Sequence, residues 1–536
     1  MTGRGFRACG PMVLAAMMLS CGRGGQPPGP SNDLLIIGYD REPDTMNRYA
    51  THILEDIESC VVEGLVVNDE QLNPVPVLAS EIPTLANGGV RLRPDGGMDV
   101  TWRLRPGVRW HDGTLHTSAD VAFTVAAITK GDWHPESVDG FDRISGVDTP
   151  DSLTAVVHYR EVYAPYVWQF VRGTLPKHLL EGRSIEAATD YNRAPLGTGP
   201  YRVKEWRTGE YLLLERAPGH WRGDSVPAIR QLLFRFIPNT NTRITLLAAG
   251  EVHMVALVPW DKVRELKSVP EVRLNRVVGN GYEHVSLNQA RVPAFTDVRV
   301  RRALAHAVDR PTLVRTILDD LVEVVNGPIQ PLSPAYEPAV RGYGYAPDSA
   351  RALLDAAGWQ VGADGIRVKD GRRLAFTLLT QAGFAIRESV AQALQQQWKA
   401  VGAEVQVQTV DGTAISSLWF NGTFDAMLHW WQSGADPEIT LFFAGDRAPP
   451  RGRNINHLND ASLTDLLYRS DRTVDAEARF ALLREAQRRV ADLAPEVVLY
   501  NTAKVDAVPA RLQGFTGNPS NAGPFWNVHQ WRIAPP

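Results

Sequence analysis

The chain has 536 residues, of which 44% are hydrophobic and 22% are charged, and its formal net charge is −4 at pH 7. This length suffices for several domains, and the composition is typical of a folded globular protein. The near-neutral charge excludes a broadly basic nucleic-acid-binding surface and a long acidic tail. The histidines form no HExxH pattern and the cysteines no CxxC, so the sequence supports no protein-bound metal and predicts no cofactor.

The N-terminal segment has the pattern of a bacterial export signal. Arg4 and Arg7 supply positive charge, Pro11 to Leu19 is a short apolar run, and the letters MLSC at positions 18–21 resemble a lipobox. The run is too short to span a bilayer, so we expect residues 1–21 to be a lipoprotein signal with lipidation at Cys21. An ordinary secretory signal with a chance cysteine is the alternative. Residues 22–32, rich in Gly, Pro and Gln, are predicted to be a flexible tether.

The cysteines agree with this interpretation. If Cys9 is removed with the signal and Cys21 is lipidated, Cys60 is the one remaining thiol, which excludes an internal disulfide. Cys60 lies in the apolar stretch IESCVVEGLVV, so we expect it to be a buried small hydrophobe and not a nucleophile.

The first elements after the tether are predicted from apolar runs. Asp33 to Tyr39 is an apolar strand, and Ile53 to Leu65 is predicted to be helical. In TWRLRPGVRW (101–110), apolar residues alternate mainly with basic ones around Pro106-Gly107, which predicts two short strands joined by a turn. Thr117 or Ser118 then suits the N-cap of a helix.

Two motifs suggest chemistry but favour structural turns. His111 and Asp112 are adjacent, as in many catalytic or metal-binding pairs, yet no third partner lies at ligand spacing. PLGTGPY at 195–201 is glycine-rich like a phosphate-binding loop, but it lacks a following Lys-Ser/Thr and leads into a predicted strand, Tyr201 to Trp206. We therefore assign neither motif to a reaction.

An amphipathic helix is predicted after Asp297, a suitable N-cap. Val300, Leu304 and Val308 form one buried stripe at i, i+4 and i+8. The other face carries three arginines, at positions 299, 301 and 302. Alone they resemble a nucleic-acid-binding patch, but the rest of the chain is not basic, so we expect a solvated helix face.

A βαβ unit is the clearest pattern in the chain. Leu374 to Thr380 is predicted to be a strand, Gly402 ends the helix that follows, and Val405 and Val407 alternate in a second strand. The helix has an apolar stripe that consists of Ile386, Val390, Leu394, Trp398 and Val401.

Several longer blocks together resemble family 5 of the extracytoplasmic solute-binding proteins, the dipeptide-, oligopeptide- and nickel-type receptors of ABC importers. The most specific block is LRPGVRWHDGTLHTSADV (104–121), and GTGPY (197–201) and APDSARALLDAAGW (346–359) match further family elements. The resemblance extends from about residue 33 to 531.

The resemblance implies an α/β, two-lobed periplasmic-binding-protein-like fold (type II, cluster C) with an extra domain in the discontinuous lobe. The core of that lobe, lobe I, is expected at residues 33–68, 194–283 and 502–536. The extra domain is expected at 69–193 and the other lobe, lobe II, at 284–501. Two chain crossings, near Glu283-His284 and Tyr500-Asn501, would form the hinge.

In peptide-binding members of this family, a ligand lies between the lobes and a carboxylate meets its amine. The resemblance assigns that region to FDAMLHWWQSGADPE (424–438), and aligning Ala435-Asp436-Pro437 with the family's Gly-Asp-Pro puts Ser433 at the carboxylate position. A buried ammonium needs a charge partner, which a hydroxyl does not supply. Either Asp436 or another carboxylate takes the role, or the ligand has no free α-amine.

Three aromatic residues precede Ser433. Trp430 aligns with a family tryptophan, and we expect it to line the cleft because a flat ring offers stacking area. Trp431 should point into the core by strand alternation. His429 could bind an anion or a metal, but a structural histidine is the favoured interpretation.

Five further candidates follow strands whose carboxyl ends should face the cleft. Tyr39, Arg41 and Glu42 end the first strand, where open α/β sheets place ligands. Gln381 and Arg387 follow the first strand of the βαβ unit, where some peptide receptors keep a basic residue for the peptide carboxylate. Exposed loop charges are the alternative for Arg41 and Glu42.

The resemblance implies a receptor that captures a peptide or peptide-like solute by hinge closure and delivers it to an ABC permease. Metal-chelate (nickel-type), opine or oligosaccharide receptors of the same fold are alternatives. An exported hydrolase is a remote one, since the sequence has no G-x-S-x-G, zincin or catalytic-cysteine context. We expect no enzymatic activity, a monomer, no nucleic-acid partner, and a location in the periplasm or on the outer cell surface with membrane contact only through the lipid anchor.

Overall fold

The structure is a computed structural model, and it describes residues 29–51, 56–130, 135, 140–432, 434–449 and 451–535. The predicted signal with Cys21, the larger part of the predicted tether, and Ser433 lie outside the described residues. Across the described residues, none of the helices has the length and apolarity needed to cross a membrane.

The strands in chain order are β1 (Leu35–Tyr39), β2 (Val66–Asn68), β3 (Pro74–Pro76), β4 (Val90–Leu92), β5 (Met98–Arg103), β6 (Ile144–Asp151), β7 (Thr154–Tyr159), β8 (Tyr201–Arg207), β9 (Tyr211–Arg216), β10 (Gln231–Phe236), β11 (Met254–Val255), β12 (Val272–Leu287), β13 (Gln360–Val361), β14 (Arg367–Lys369), β15 (Arg372–Arg373), β16 (Ala375–Gln381), β17 (Glu404–Val410), β18 (Ala426–Gln432), β19 (Glu496–Pro509), β20 (Leu512–Gln513) and β21 (Arg532–Ile533). The helices are α1 (Ser118–Lys130), α2 (Lys177–Leu180), α3 (Thr189–Arg193), α4 (Thr240–Ala248), α5 (Val263–Leu266), α6 (Val298–His306), α7 (Arg310–Thr316), α8 (Pro347–Ala356), α9 (Ala385–Lys399), α10 (Gly412–Asn421), α11 (Thr440–Phe443), α12 (Ala461–Asp471) and α13 (Ala476–Leu493).

One ten-stranded sheet runs through the molecule in the order β17-β16-β18-β12-β19-β11-β1-β10-β9-β8. β1 is parallel to β10 and β11, and β16 is parallel to β17 and β18. Between these two groups lie β12 and β19, of 16 and 14 residues, paired antiparallel. These two strands therefore carry the chain from one half of the sheet to the other and back.

The pairing of β12 with β19 is irregular near the middle of both strands. The register shifts between Val278 and Tyr282 and again between Glu283 and His284. Between the first two residues lie Gly279 and Gly281, where an added Cβ would collide with neighbouring oxygen atoms, including the Thr502 hydroxyl. Only glycine lets the strands approach this closely, so the crossing is a point of weak pairing and tight packing. The lobe boundaries expected from the sequence stay a prediction.

A separate four-stranded sheet, β4-β5-β7-β6, lies within residues 69–193. On β5, Met98, Val100 and Trp102 are fully buried, while Arg103 is exposed. Val157 and Tyr159 on β7 face the same core. The alternation predicted around Trp102 thus forms the strand β5, whereas residues 107–110 form no strand and Arg109 makes only an isolated bridge to Leu115.

Two predicted elements form as expected. The βαβ unit is β16, α9 and β17, with Val390, Leu394 and Trp398 fully buried, and Gly402 follows the helix at φ +95°. Asp297 caps α6 by accepting a hydrogen bond from the Arg299 backbone amide at 2.9 Å.

Two other local predictions were wrong. The described part of Ile53 to Leu65 holds only a 3-10 turn, Glu58–Cys60, because the chain then turns to let the Val61 carbonyl accept a bond from the Gly199 amide at 2.9 Å. Arg301 is not on a solvated face: it is 3% exposed, and its guanidinium donates to carbonyls at the end of α13, including Ala494 at 3.1 Å. Cationic donors suit the orphan carbonyls of a helix C-terminus.

Candidate functional site

Two adjoining cavities lie where residues 434–442 face residues 59–77 and 141–172 of the chain. Cavity A has a volume of about 330 Å³ and cavity B of about 360 Å³, each within the usual range for ligand pockets. Five residues line both cavities and form what we call the waist: Trp168, Val171, Arg172, Gly434 and Asp436. Because the waist has residues from both sides of the cleft, a ligand in either cavity would touch both sides.

Asp436 is held by an arginine from a neighbouring helix. Arg479 on α13 donates to both carboxylate oxygens, at 2.8 and 2.6 Å, and both side chains are largely buried. Burial alone would lower the pKa of Arg479, but Asp436 outweighs it and the pKa is raised. The Asp436 carboxylate therefore enters the cleft as half of an ion pair and not as a lone negative charge.

Asp471 lies next to this ion pair. Its carboxylate accepts a hydrogen bond from the Thr440 hydroxyl at 3.0 Å. Burial raises the pKa of Asp471 to about 6, and the charge of Asp436 adds to the rise while Arg479 opposes it. The charge of Arg479 thus acts on two carboxylates, those of Asp436 and Asp471.

Glu63 is a second carboxylate in the cleft, in the wall of cavity A. It accepts hydrogen bonds from Trp221 Nε1 at 2.8 Å and from the Arg222 guanidinium, and His220 Nε2 lies 3.6 Å away. Burial would raise the pKa of Glu63, but Arg222, His220 and Trp221 outweigh it and lower the pKa to about 2. Glu63 is thus ionised and already paired.

The aromatic candidates occupy different environments. Trp431 is 9% exposed, and its ring centroid lies 4.4 Å from that of Phe442, which lines cavity B. Trp430 is 45% exposed, lies opposite Glu283 on β12, and is not among the lining residues of cavities A and B. Trp431 therefore supports the cavity wall from behind.

His429 is half-buried beside Trp431. Its Nε2 lies 2.9 Å from the Ser286 hydroxyl, and its ring centroid is 4.3 Å from that of His284. Burial, with the charge of Arg387, lowers the pKa of His429 to about 3, so the ring is neutral.

The candidates near β1 make local contacts. Tyr39 is buried and its hydroxyl donates to the Asp56 carboxylate, whereas Arg41 pairs with Asp40 at 2.6 Å on the surface. Glu42 accepts bonds from Trp206 Nε1 at 2.6 Å and from a backbone amide of the β8–β9 turn at 2.8 Å. These contacts fix the end of β1.

Arg387 and Gln381 also contact other residues of the protein. Arg387 donates to both oxygens of Glu283, at 3.1 and 2.6 Å, in a buried ion pair between α9 and β12. Gln381 is half-buried at the end of β16, next to Gly412. Neither residue lines cavities A and B. Of the described candidates from the sequence, Asp436 alone lines cavities A and B, and Ser433 lies outside the described residues.

One wall of cavity B, formed by residues 141–172, was not predicted from the sequence. Phe141, Tyr163 and Trp168 line cavity B, and two of them lie in the aromatic-rich segment YAPYVWQF at 163–170. That density of aromatic residues could have indicated a binding surface. The residues that face it across the cleft, such as Phe442, could not be predicted from the segment itself. Among the described residues there is no group of three or more His, Cys, Asp or Glu that could hold a metal ion.

The sequence matches a family of known proteins and several of its members. The sequence model of the bacterial extracellular solute-binding proteins, family 5 Middle, matches residues 73–446. Protein XP55 of Streptomyces lividans is 30% identical over 91% of this chain and 89% of its own length. The oligopeptide-binding protein AppA of Bacillus subtilis is 28% identical over 93% of this chain and 91% of its own length.

The structure of AppA from Bacillus subtilis in complex with a nonapeptide superposes with a TM-score of 0.78 at 26% identity, covering 95% of this chain and 100% of AppA. The match confirms the predicted two-lobed α/β fold.

Proposed function

Because this chain belongs to family 5 of the bacterial extracellular solute-binding proteins, we propose that it captures a short peptide or peptide-like solute in the cleft that holds cavities A and B. The single observation that carries the proposal is the waist, where Trp168 and Arg172 face Gly434 and Asp436 across the cleft. A solute held there bridges both sides and stabilises the closed form over the open one.

The crossing of β12 and β19 is suited to the closing motion. Among the strands that the structure describes, only these two link the halves of the central sheet, and their pairing is interrupted at Gly279 and Gly281. Bending a weakly paired segment costs less than breaking a regular ladder, so we place the hinge there.

A peptide amine would find no lone carboxylate at Asp436 or Glu63, because arginines already hold both. The amine then either joins one of these ion pairs as a further donor or is absent from the solute. The relative AppA, named as an oligopeptide-binding protein, supports peptide as the first class to test. Opines, oligosaccharides and metal chelates remain the alternatives.

The proposal extends to the partners of the chain. We propose that the closed form docks on an ABC permease, that the protein is a monomer anchored outside the cytoplasm by lipid at Cys21, and that it works as a receptor without catalytic turnover.

The first test is to purify the protein from its native host and identify any released small molecule by mass spectrometry. A peptide is the expected result, and solution scattering should then show a smaller radius of gyration with the peptide than without it. If peptides, opines, oligosaccharides and metal chelates all fail to raise the thermal unfolding midpoint or to change the scattering, the receptor proposal is wrong.

A further inference from the structure

Cavity B has an aromatic wall. Five of its lining residues are aromatic, and they come from three separate parts of the chain: Tyr49, Phe141, Tyr163, Trp168 and Phe442. In cavity A, by contrast, Trp168 and Trp526 are the aromatic residues beside His529, within a much longer wall. Aromatic surfaces bury large apolar groups well and favour edge or offset contacts with other rings.

The rings of cavity B are fixed by contacts behind them. Tyr49 and Phe141 lie edge to face with their centroids 6.1 Å apart, and the Tyr49 hydroxyl donates to the Gly173 carbonyl at 2.7 Å. On the opposite side, Phe442 rests on Trp431 at 4.4 Å. A wall that is already ordered loses little side-chain entropy when a ligand arrives.

The charges of cavity B do not favour a cationic guest. Asp436 is paired with Arg479, and a Glu438 carboxylate oxygen accepts a hydrogen bond from the Leu441 amide at 3.0 Å. Arg172 contributes a positive charge to the same wall. A cation would therefore meet Asp436 as half of an ion pair and not as a lone carboxylate, whereas an apolar ring needs no counter-ion.

Cavity A offers a polar complement on the other side of the waist. Its wall includes the Arg222–Glu63 ion pair, His529 and Arg48. We infer that cavity B takes one aromatic or large aliphatic side chain of the captured solute, while the polar remainder passes the waist into cavity A. The inference rests on the proposed function and adds the chemical class of one side chain to it.

The test uses calorimetric titration of the purified full-length protein with alanine tripeptides that carry a single Phe, Leu, Lys or Glu at each position. At one position, Phe should bind about tenfold or more tightly than Ala, the ratio expected for burying one large apolar side chain. Phe442→Ala and Trp168→Ala should each reduce that ratio severalfold. Phe420→Ala is the matched control, because Phe420 is 59% exposed and is not a lining residue of cavity B.

Failure of this inference and failure of the proposed function have different signatures. If tripeptides bind but Lys is preferred over Phe, or if the Phe preference survives both cavity substitutions, the aromatic subsite is wrong and the peptide receptor stands. If no tripeptide binds, N-acetylphenylalaninamide is titrated and followed by ligand-observed NMR. Binding that Phe442→Ala or Trp168→Ala weakens, and Phe420→Ala does not, keeps the subsite and removes the peptide proposal; no binding removes both.

Discussion

Replacing Glu496 with Gln should remove a pH-dependent loss of stability between pH 6.5 and pH 8. Glu496 is buried at the start of β19, where one carboxylate oxygen accepts the Tyr282 hydroxyl at 2.8 Å and the other lies 3.4 Å from His284 Nε2. Burial raises its pKa from 4.5 to about 8, and the Tyr282 bond only partly opposes the rise. Burial and His429 lower the pKa of His284, so that ring is neutral and brings no compensating charge.

The direction of this pH dependence follows from the number of protons that Glu496 binds in the folded and in the unfolded chain. Between the unfolded pKa of 4.5 and the folded pKa of about 8, native Glu496 holds a proton that the unfolded chain has released, so its stabilising contribution falls as pH rises. Unfolded histidine titrates near pH 6.5, and because His284 is present in both the wild type and the Glu496→Gln variant, the difference between their pH profiles reports Glu496. The interval from pH 6.5 to pH 8 spans about 1.5 units at about 1.36 kcal/mol each, so the loss reaches at most about 2 kcal/mol.

The assay is urea unfolding of the wild type and Glu496→Gln at several pH values across this interval. Gln keeps an acceptor for Tyr282 and carries no titratable proton. The free energy of unfolding of the variant should gain on that of the wild type as pH rises, by up to about 2 kcal/mol. Parallel pH profiles for the two proteins would refute the reasoning, because they would mean that Glu496 has the same protonation in the folded and unfolded chains.

Two further substitutions test the contacts that flank the proposed hinge. Arg387→Met should cost about 3–5 kcal/mol in urea unfolding because it leaves Glu283 buried without its partner. Arg373→Met, which breaks exposed ion pairs, should cost far less, and equal costs would contradict the role of burial. Gly281→Ala should destabilise the crossing and weaken ligand-induced closure in solution scattering, because its methyl group would collide with a carbonyl oxygen of β18. Gly146→Ala, with nothing within 4 Å of the new methyl, should be silent, and a wild-type response from both variants would remove the crossing from the closing mechanism.

The parts of the fold that local patterns specify could be predicted from the sequence. The β16–α9–β17 unit follows from a 3.6-residue stripe between two apolar runs, and its end at Gly402 from that residue's tolerance of positive φ. Arg301 could not be predicted in the same way, since its acceptors lie at the end of α13, far along the chain. A charged residue on a helix face indicates solvent exposure unless an acceptor from a distant part of the chain, here the Ala494 carbonyl, packs against it.

The candidate site was less predictable, for the same physical reason. Strand alternation correctly separates the environments of Trp430 and Trp431, but it does not tell which face the extra domain covers. The aromatic wall joins Tyr49, Phe141 and Phe442, which meet only after the chain has crossed between the lobes. The pairing of Glu63 could have been predicted in part from the sequence. A carboxylate in an apolar run needs a buried partner, and in the structure that partner is Arg222.

The position of β19 in the central sheet has a consequence for how the chain is completed. β19 spans Glu496–Pro509, close to the end of the chain, yet it lies between β12 and β11 and so joins strands made hundreds of residues earlier. Until a growing chain reaches this strand, β11 has no antiparallel neighbour and β12 lacks its longest ladder. The two halves of the sheet therefore join when β19 inserts between β12 and β11.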